Sequence, residues 1–240
     1  MKTLKVTLAA LMVATMFNIA PVALADGGSI KGKVIFSGDA GKFKRKRINT
    51  AKDPVCAQAG RIGTYDVVIN KKTDPTTLRN VMVYIKSGLS GSFDAPAEKV
   101  QLTQVKCEYT PHVLGLMAGQ TLTISNGDAT NHNIHFLPKV NEEINFSQPK
   151  KGMTKDIQLV KEDVFKIKCD VHPWMAAYIQ VFDHPFFAVT GKDGTFELKG
   201  VPAGKYVVEA WHEKFGVKTV EVTVASTAAE ADFTYTGEEK

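Results

Sequence analysis

Cys169, His172 and Met175 follow one another at three-residue spacing in Cys169-Asp170-Val171-His172-Pro173-Trp174-Met175, and His132 lies upstream in Asn131-His132-Asn133-Ile134-His135-Phe136. One thiolate, two imidazoles and one thioether are the donor set of a mononuclear type 1 copper centre. In such a centre two His and one Cys form a trigonal plane, and a Met sulfur sits at a long axial distance. The thiolate is soft and covalent toward copper, imidazole suits both oxidation states, and the thioether suits Cu(I). Zinc fits less well, because Met is a poor ligand for it. A dinuclear copper site would need a second Cys in this loop, and Cys169 stands alone there. The bland alternative is a structural Cys, two surface His and a core Met.

Such donors need a rigid frame, and the frame reads as β throughout. Leu122 and Ile124 alternate with Thr121 and Thr123. Phe165, Ile167 and Cys169 alternate with Val164, Lys166 and Lys168, and Val220, Val222 and Val224 alternate with Thr219, Glu221 and Thr223. Period two is the signal of half-buried strands. No window of helical length keeps a 3.6-residue period; a short helix is expected only near Pro54–Ala59. Strand parity places Cys169 on the same face as Phe165 and Ile167, and His132 with Ile134 and Phe136. Both therefore point inward. His135 has the opposite parity and reads as an edge or surface histidine.

The Cys169-x2-His172-x2-Met175 loop resembles the ligand loop of the cupredoxins, with the spacing of amicyanin-type, plastocyanin-like members. Asn131 to Phe136 is similar to that family's P-H-N-V-H-F element. The resemblance is clear over roughly 113–181. It implies His132, Cys169, His172 and Met175 as copper ligands, and Asn133 as a residue hydrogen-bonding across to the Cys loop. It further implies outer-sphere electron transfer, with His172 near the surface as the electron exit and no catalysis by the chain. The sequence departs from the family where Asn131 replaces Pro, and where Asp170-Val171 replace the usual small residue and Pro. An inward Asp170 would favour Cu(II).

A boundary is expected around Asp183-His184-Pro185. Beyond it, Thr190-x-x-Asp193-Gly194-x-Phe196-x-Leu198 and Pro202-x-Gly204-x-Tyr206 resemble the carboxypeptidase regulatory-like domain, a transthyretin-like sandwich. Asp193-Gly194 reads as a tight hairpin turn. The last 55 or so residues are few for a sandwich of their own. Ser29–Phe36 looks like the opening strand of that same family, and two placements stand open for it: the C-terminal sandwich or the copper domain. The expected fold is all-β, a Greek-key cupredoxin β-sandwich plus a smaller transthyretin-like β-sandwich. The segments are an N-terminal β extension over 26–110, a copper-binding region over 111–185 and the second sandwich over 186–240.

Lys2 and Lys5, the apolar run Leu8–Ala20 and Ala23-Leu24-Ala25 form a three-part export signal, expected to be cleaved before Asp26. This places the protein in a periplasm or outside the cell, with no transmembrane segment in the mature chain. The formal charge of +5 falls further when Lys2 and Lys5 are removed. So mild a balance argues against nucleic acid as a partner. The chain has 3 cysteines, and an odd count in an exported protein leaves one over. Sequence does not fix connectivity. The economical assignment is a Cys56–Cys107 disulfide with Cys169 as the metal thiolate; the alternative is a second metal site on Cys107 and His112.

Other features read more simply. His184 and His212 sit beside aromatic or acidic residues and read as structural. Glu142 and Glu143 read as a solvated pair. Lys42–Arg47 is a solvated run or a dock for an acidic redox partner or an anionic membrane surface. Pro173 and Trp174 would either form a docking patch or pack on the neighbouring sandwich. With 6 His in the chain, a multicopper oxidase or nitrite reductase site is hard to build. The favoured function is single-electron transfer to a periplasmic redox protein, such as a c-type cytochrome or a dehydrogenase. Two rivals remain: copper delivery or storage, and a non-redox module binding carbohydrate or protein.

Overall fold

The computed structural model describes residues 27–225 and 227–238, so the expected leader over 1–25 lies outside the described residues. In chain order the elements are β1 (Gly28–Phe36), α1 (Pro54–Gln58), β2 (Val68–Asn70), β3 (Thr77–Arg79), β4 (Met82–Ser87), β5 (Val100–Val105) and β6 (Glu108–Thr110). Then follow β7 (Val113–Met117), β8 (Thr121–Asn126), β9 (His132–Leu137), β10 (Asn145–Gln148), β11 (Thr154–Gln158), β12 (Asp163–Lys168) and β13 (Ala176–Phe182). The chain closes with β14 (Phe187–Val189), β15 (Thr195–Val201), β16 (Gly204–His212), β17 (Gly216–Val224), β18 (Ala229–Glu230) and β19 (Phe233–Tyr235). The fold is all-β, as its alternation requires. No helix among the described residues is long and apolar enough to cross a membrane.

Two sheets make the first lobe, in the orders β10-β9-β12-β13-β7 and β11-β8-β5-β6. Their inward faces share one core, with Leu102, Leu122 and Ile124 from one sheet and Ile134, Phe136, Phe165, Ile167 and Ile179 from the other. Strand β8 buries Leu122, Ile124 and Asn126 and half-exposes the residues between them. That alternation is what a strand with one dry face must show.

The second lobe holds the sheets β15-β1-β3-β2 and β14-β4-β16-β17, with β18 and β19 also on β1. Strand β1 runs antiparallel to β15 and parallel to β18 and β19. It is thus an interior strand of the C-terminal sandwich, and Ile30, Val34 and Phe36 enter its core beside Leu198, Val208 and Phe233. The close approach of β1 to its neighbours needs Gly32, where a Cβ would lie 2.0 Å from the Ala231 carbonyl oxygen.

These pairings differ from the expected division of the chain. Residues 26–110 do not form an extension of their own. Strands β1–β4 belong to the second lobe, and β5 and β6 belong to the first. The first lobe is therefore inserted between β4 and β14 of the second. The physical reason is burial: the C-terminal strands enclose a core only when β1, β3 and β4 cover it.

A third apolar cluster joins the lobes, built from Met82 and Tyr84 of β4 and Val113 and Phe182 of β7 and β13. Phe187 stacks on Phe182 at 4.5 Å between centroids. It fits because position 115 is glycine, where a Cβ would stand 2.6 Å from the Phe187 ring.

Candidate metal centre

Strand β9 delivers His132 at its first residue, fully buried, and β12 delivers Cys169 one residue past its end, 2% exposed. The two strands are hydrogen-bonded neighbours. The loop beyond Cys169 turns back on itself. Met175 N–H donates to the His172 carbonyl (2.9 Å), and Cys169 N–H donates to the Met175 carbonyl (3.2 Å). This closure brings His172 beside Cys169 and buries Met175 in the same core. One ligand atom each from His132, Cys169 and His172 falls within 4.8 Å of the others.

The sulfur is prepared as a thiolate. It accepts the backbone N–H groups of Asn133 (3.4 Å) and His172 (3.3 Å), and His172 Nδ1 lies 3.8 Å away. Burial would raise the thiol's pKa, but hydrogen bonds from His132 and His172 and these two amides hold it down to about 6. Asn133 also accepts the Asp170 N–H on its side-chain oxygen (3.1 Å) and donates its amide to Asn145 (2.7 Å) and the Phe146 carbonyl. It therefore ties β9, β10 and the Cys loop together. The Tyr109 hydroxyl donates to the Asn133 carbonyl (2.5 Å) from the facing sheet.

The far nitrogens of both imidazoles meet carboxylates. His132 Nε2 lies 2.9 Å from Asp128 Oδ2, and His172 Nε2 lies 3.1 Å from Asp53 Oδ2. A carboxylate only accepts, so each Nε2 carries a proton, and each ring, when neutral, presents its lone pair at Nδ1. The two Nδ1 atoms face each other at 3.1 Å beside the sulfur. Two lone pairs and a thiolate at that range repel one another unless a cation, either a proton or a metal ion, lies among them. The donor set thus fits a soft metal ion, with Met175 on the same loop as a thioether. His172 is biased toward the charged form: burial lowers its pKa, but Cys169 and Asp53 outweigh that and raise it.

His172 does not stand near the surface. It is 2% exposed, because the segment around α1 lies over it. Asp53 caps α1 by accepting the Val55 and Cys56 N–H groups, and Pro54 follows at the first helical turn. A disulfide joins Cys56 to Cys107, between β5 and β6, and so tethers this cap to the first lobe. The Cys56 sulfur lies 3.6 Å from His172 Nε2. Sequence reasoning found the helix but not its target, since Asp53 and His172 are 119 residues apart. Asp128 went unnoticed for another reason: Asn126-Gly127-Asp128 reads only as a turn.

The remaining expectations resolve individually. Asp170 points outward, to Lys168 (2.8 Å) and His135 (2.9 Å), and not toward the sulfur. His135 also pairs with Glu143 (2.7 Å), so that acid has a partner, whereas Glu142 stays exposed. A second site on Cys107 and His112 is excluded by the disulfide. His112 instead pairs with Glu213 of the second lobe and stacks on Tyr65. Trp174 is half-buried; its indole donates to the Cys107 carbonyl (3.1 Å), and its ring lies 5.0 Å from His172. His184 and His212 are buried and accept backbone N–H groups at Nδ1. In the basic run, Arg45 lies over Tyr65 and donates to the Thr64 carbonyl.

No protein-family model and no curated protein matches this chain. Solved structures do. A Cu-containing nitrite reductase from Thermus scotoductus SA-01 is 22% identical over 41% of this chain, with a TM-score of 0.32. This chain covers 26% of that enzyme's chain. A purple cupredoxin from Nitrosopumilus maritimus is 26% identical over 34% of this chain and 98% of its own, with a TM-score of 0.29. Amicyanin from Paracoccus versutus is 23% identical over 41% of this chain and 96% of its own, with a TM-score of 0.32.

Proposed function

We propose that this protein holds one type 1 copper ion on His132, Cys169, His172 and Met175 and carries single electrons. The observation that carries the reading is the buried triad: two Nδ1 atoms 3.1 Å apart beside a sulfur already held by two amides. Copper would supply one-electron chemistry between Cu(I) and Cu(II). The chain's own residues fix the donors and exclude water. Asn133, Asp53 and Asp128 set their orientation, the core behind them resists rearrangement, and α1 closes the outer side. Donors that do not move when the charge changes keep reorganisation small. Trp174 carries an aromatic edge from His172 toward solvent and is the route we assign for exchange with a partner.

The partner class we favour is a periplasmic c-type cytochrome or dehydrogenase, and we read the protein as an exported carrier with no catalytic activity of its own. The export signal and the Cys56–Cys107 disulfide support an oxidising compartment. A second reading, copper delivery or storage, rests on the same buried donor set, and the tethered cap over His172 would have to open for the metal to exchange.

The visible spectrum of the purified chain with Cu(II) tests the reading. An intense thiolate-to-copper band, absent in a folded Cys169→Ala variant, is expected. Rapid electron exchange with a small redox reagent then separates a carrier from a store. Copper bound without colour would leave storage, and no copper bound would overturn the metal reading.

A further inference from the structure

Resting on that reading, we infer that Asp53 and Asp128 are positioning residues that aim both imidazoles at the metal from outside and stabilise Cu(II). Each carboxylate does two jobs. Asp128 accepts the Lys106 N–H at Oδ1 and the Cys107 N–H at Oδ2, both 2.8 Å, and takes His132 Nε2 on Oδ2. Lys106 and Cys107 have positive φ values of 56° and 55°, which turn both amides toward that one side chain. Asp53 spends Oδ1 on the first turn of α1 and gives Oδ2 to the Thr130 hydroxyl (2.7 Å) and His172 Nε2. The disulfide joins the two halves, because Cys56 follows Asp53 in the helix and Cys107 donates to Asp128.

The consequence is chemical. A carboxylate on Nε2–H fixes the tautomer with Nδ1 bare, fixes the ring's rotation and makes the imidazole a stronger donor. Two such carboxylates place negative charge behind both nitrogens, which favours the more highly charged metal. The one-electron step Cu(II) + e⁻ → Cu(I) is therefore opposed, and the reduction potential is set low.

The test uses the full chain and begins without metal. Nitrogen-15 NMR of the copper-free protein is expected to show His132 and His172 protonated at Nε2. In Asp53→Asn and Asp128→Asn an amide donor replaces an acceptor oxygen, and the facing ring is expected to shift toward the Nδ1–H tautomer. Asp53→Ser keeps a helix cap while removing the carboxylate. It should give mixed tautomers at His172 with α1 still protected from exchange. With copper, each variant is expected to lose about 10–100-fold in Cu(II) affinity, less in Cu(I) affinity, and to show a raised potential. Unchanged tautomers and an unchanged potential in folded variants would overturn the proposal. Should wild type bind no copper, the NMR result still decides the positioning role, while the copper reading fails separately. Should the Asn variants not fold, Asp53→Ser decides it.

Discussion

Asn133 is where the sequence's chemistry is most compressed: its backbone N–H reaches the sulfur, and its side chain spans β10 and the Cys loop. Asn133→Ala keeps the first contact and removes the second. The Asp170 N–H and the Asn145 side chain then lose a partner, which costs about 1–3 kcal/mol. Denaturant unfolding should show that loss. The thiolate band of the copper form should shift or broaden, because the loop carrying Cys169 is no longer fixed. The role of Asn133 was legible only through the resemblance of 131–136 to the cupredoxin element, which implies a residue there that bonds across to the Cys loop. The outward turn of Asp170 was not, because loop residues have no parity to read; Lys168 and His135 decided it.

At the scale of elements, the cap is the distinctive device. A five-residue helix has little stability of its own. Here Pro54 and the Asp53 cap start it, and the disulfide holds it in place. Cys56 and Cys107 are 51 residues apart. A crosslink closing a loop of that length is worth up to about 4 kcal/mol through the unfolded chain's entropy. The double variant Cys56→Ser, Cys107→Ser should lose a substantial part of that. Amide exchange at Cys56 and Ala57 should also become fast, while the β9 and β12 amides remain protected. Equal protection in both forms would mean that packing alone holds the cap. A short helix near Pro54–Ala59 was legible in the sequence. Its position over His172 was not, since nothing local in 53–58 points to a loop so far along the chain.

At the scale of the molecule, insertion of one lobe into the other makes their contact part of the fold. Gly115→Val would drive a branched side chain into the Phe187 ring. Overpacking of this kind costs about 1–3 kcal/mol. The expected outcome is a less stable protein whose lobes unfold in two resolved steps, with copper colour kept until the first lobe melts. Calorimetry with the visible band as a second probe would separate them.

Acid should act through the second lobe. Burial depresses the His212 pKa to about 3, with the nearby His112 charge adding to it, so the folded protein holds this ring neutral while the unfolded chain protonates it near 6.5. The unfolded state binds the extra proton between those values. Stability from this group is therefore complete above about 6.5 and is lost as pH falls toward 3, by roughly 5 kcal/mol at most. His184, also lowered by burial, adds in the same direction. Melting temperature followed from pH 7 to pH 4 should fall, and a flat profile would contradict this account.

The sequence by itself determined the strands, the inward faces of Cys169 and His132 and the close spacing of Cys169, His172 and Met175, because period-two alternation and loop spacing are local properties. It also held the clue to β1, which resembles the opening strand of the family that the C-terminal segment resembles, but that likeness left two placements open. Only the tertiary structure decided that β1 completes the second lobe, that 100–110 belongs to the first, and that Asp53 and Asp128 back the two imidazoles. Those outcomes depend on contacts between distant segments, selected by which arrangement buries the most apolar surface while leaving few polar groups unpaired.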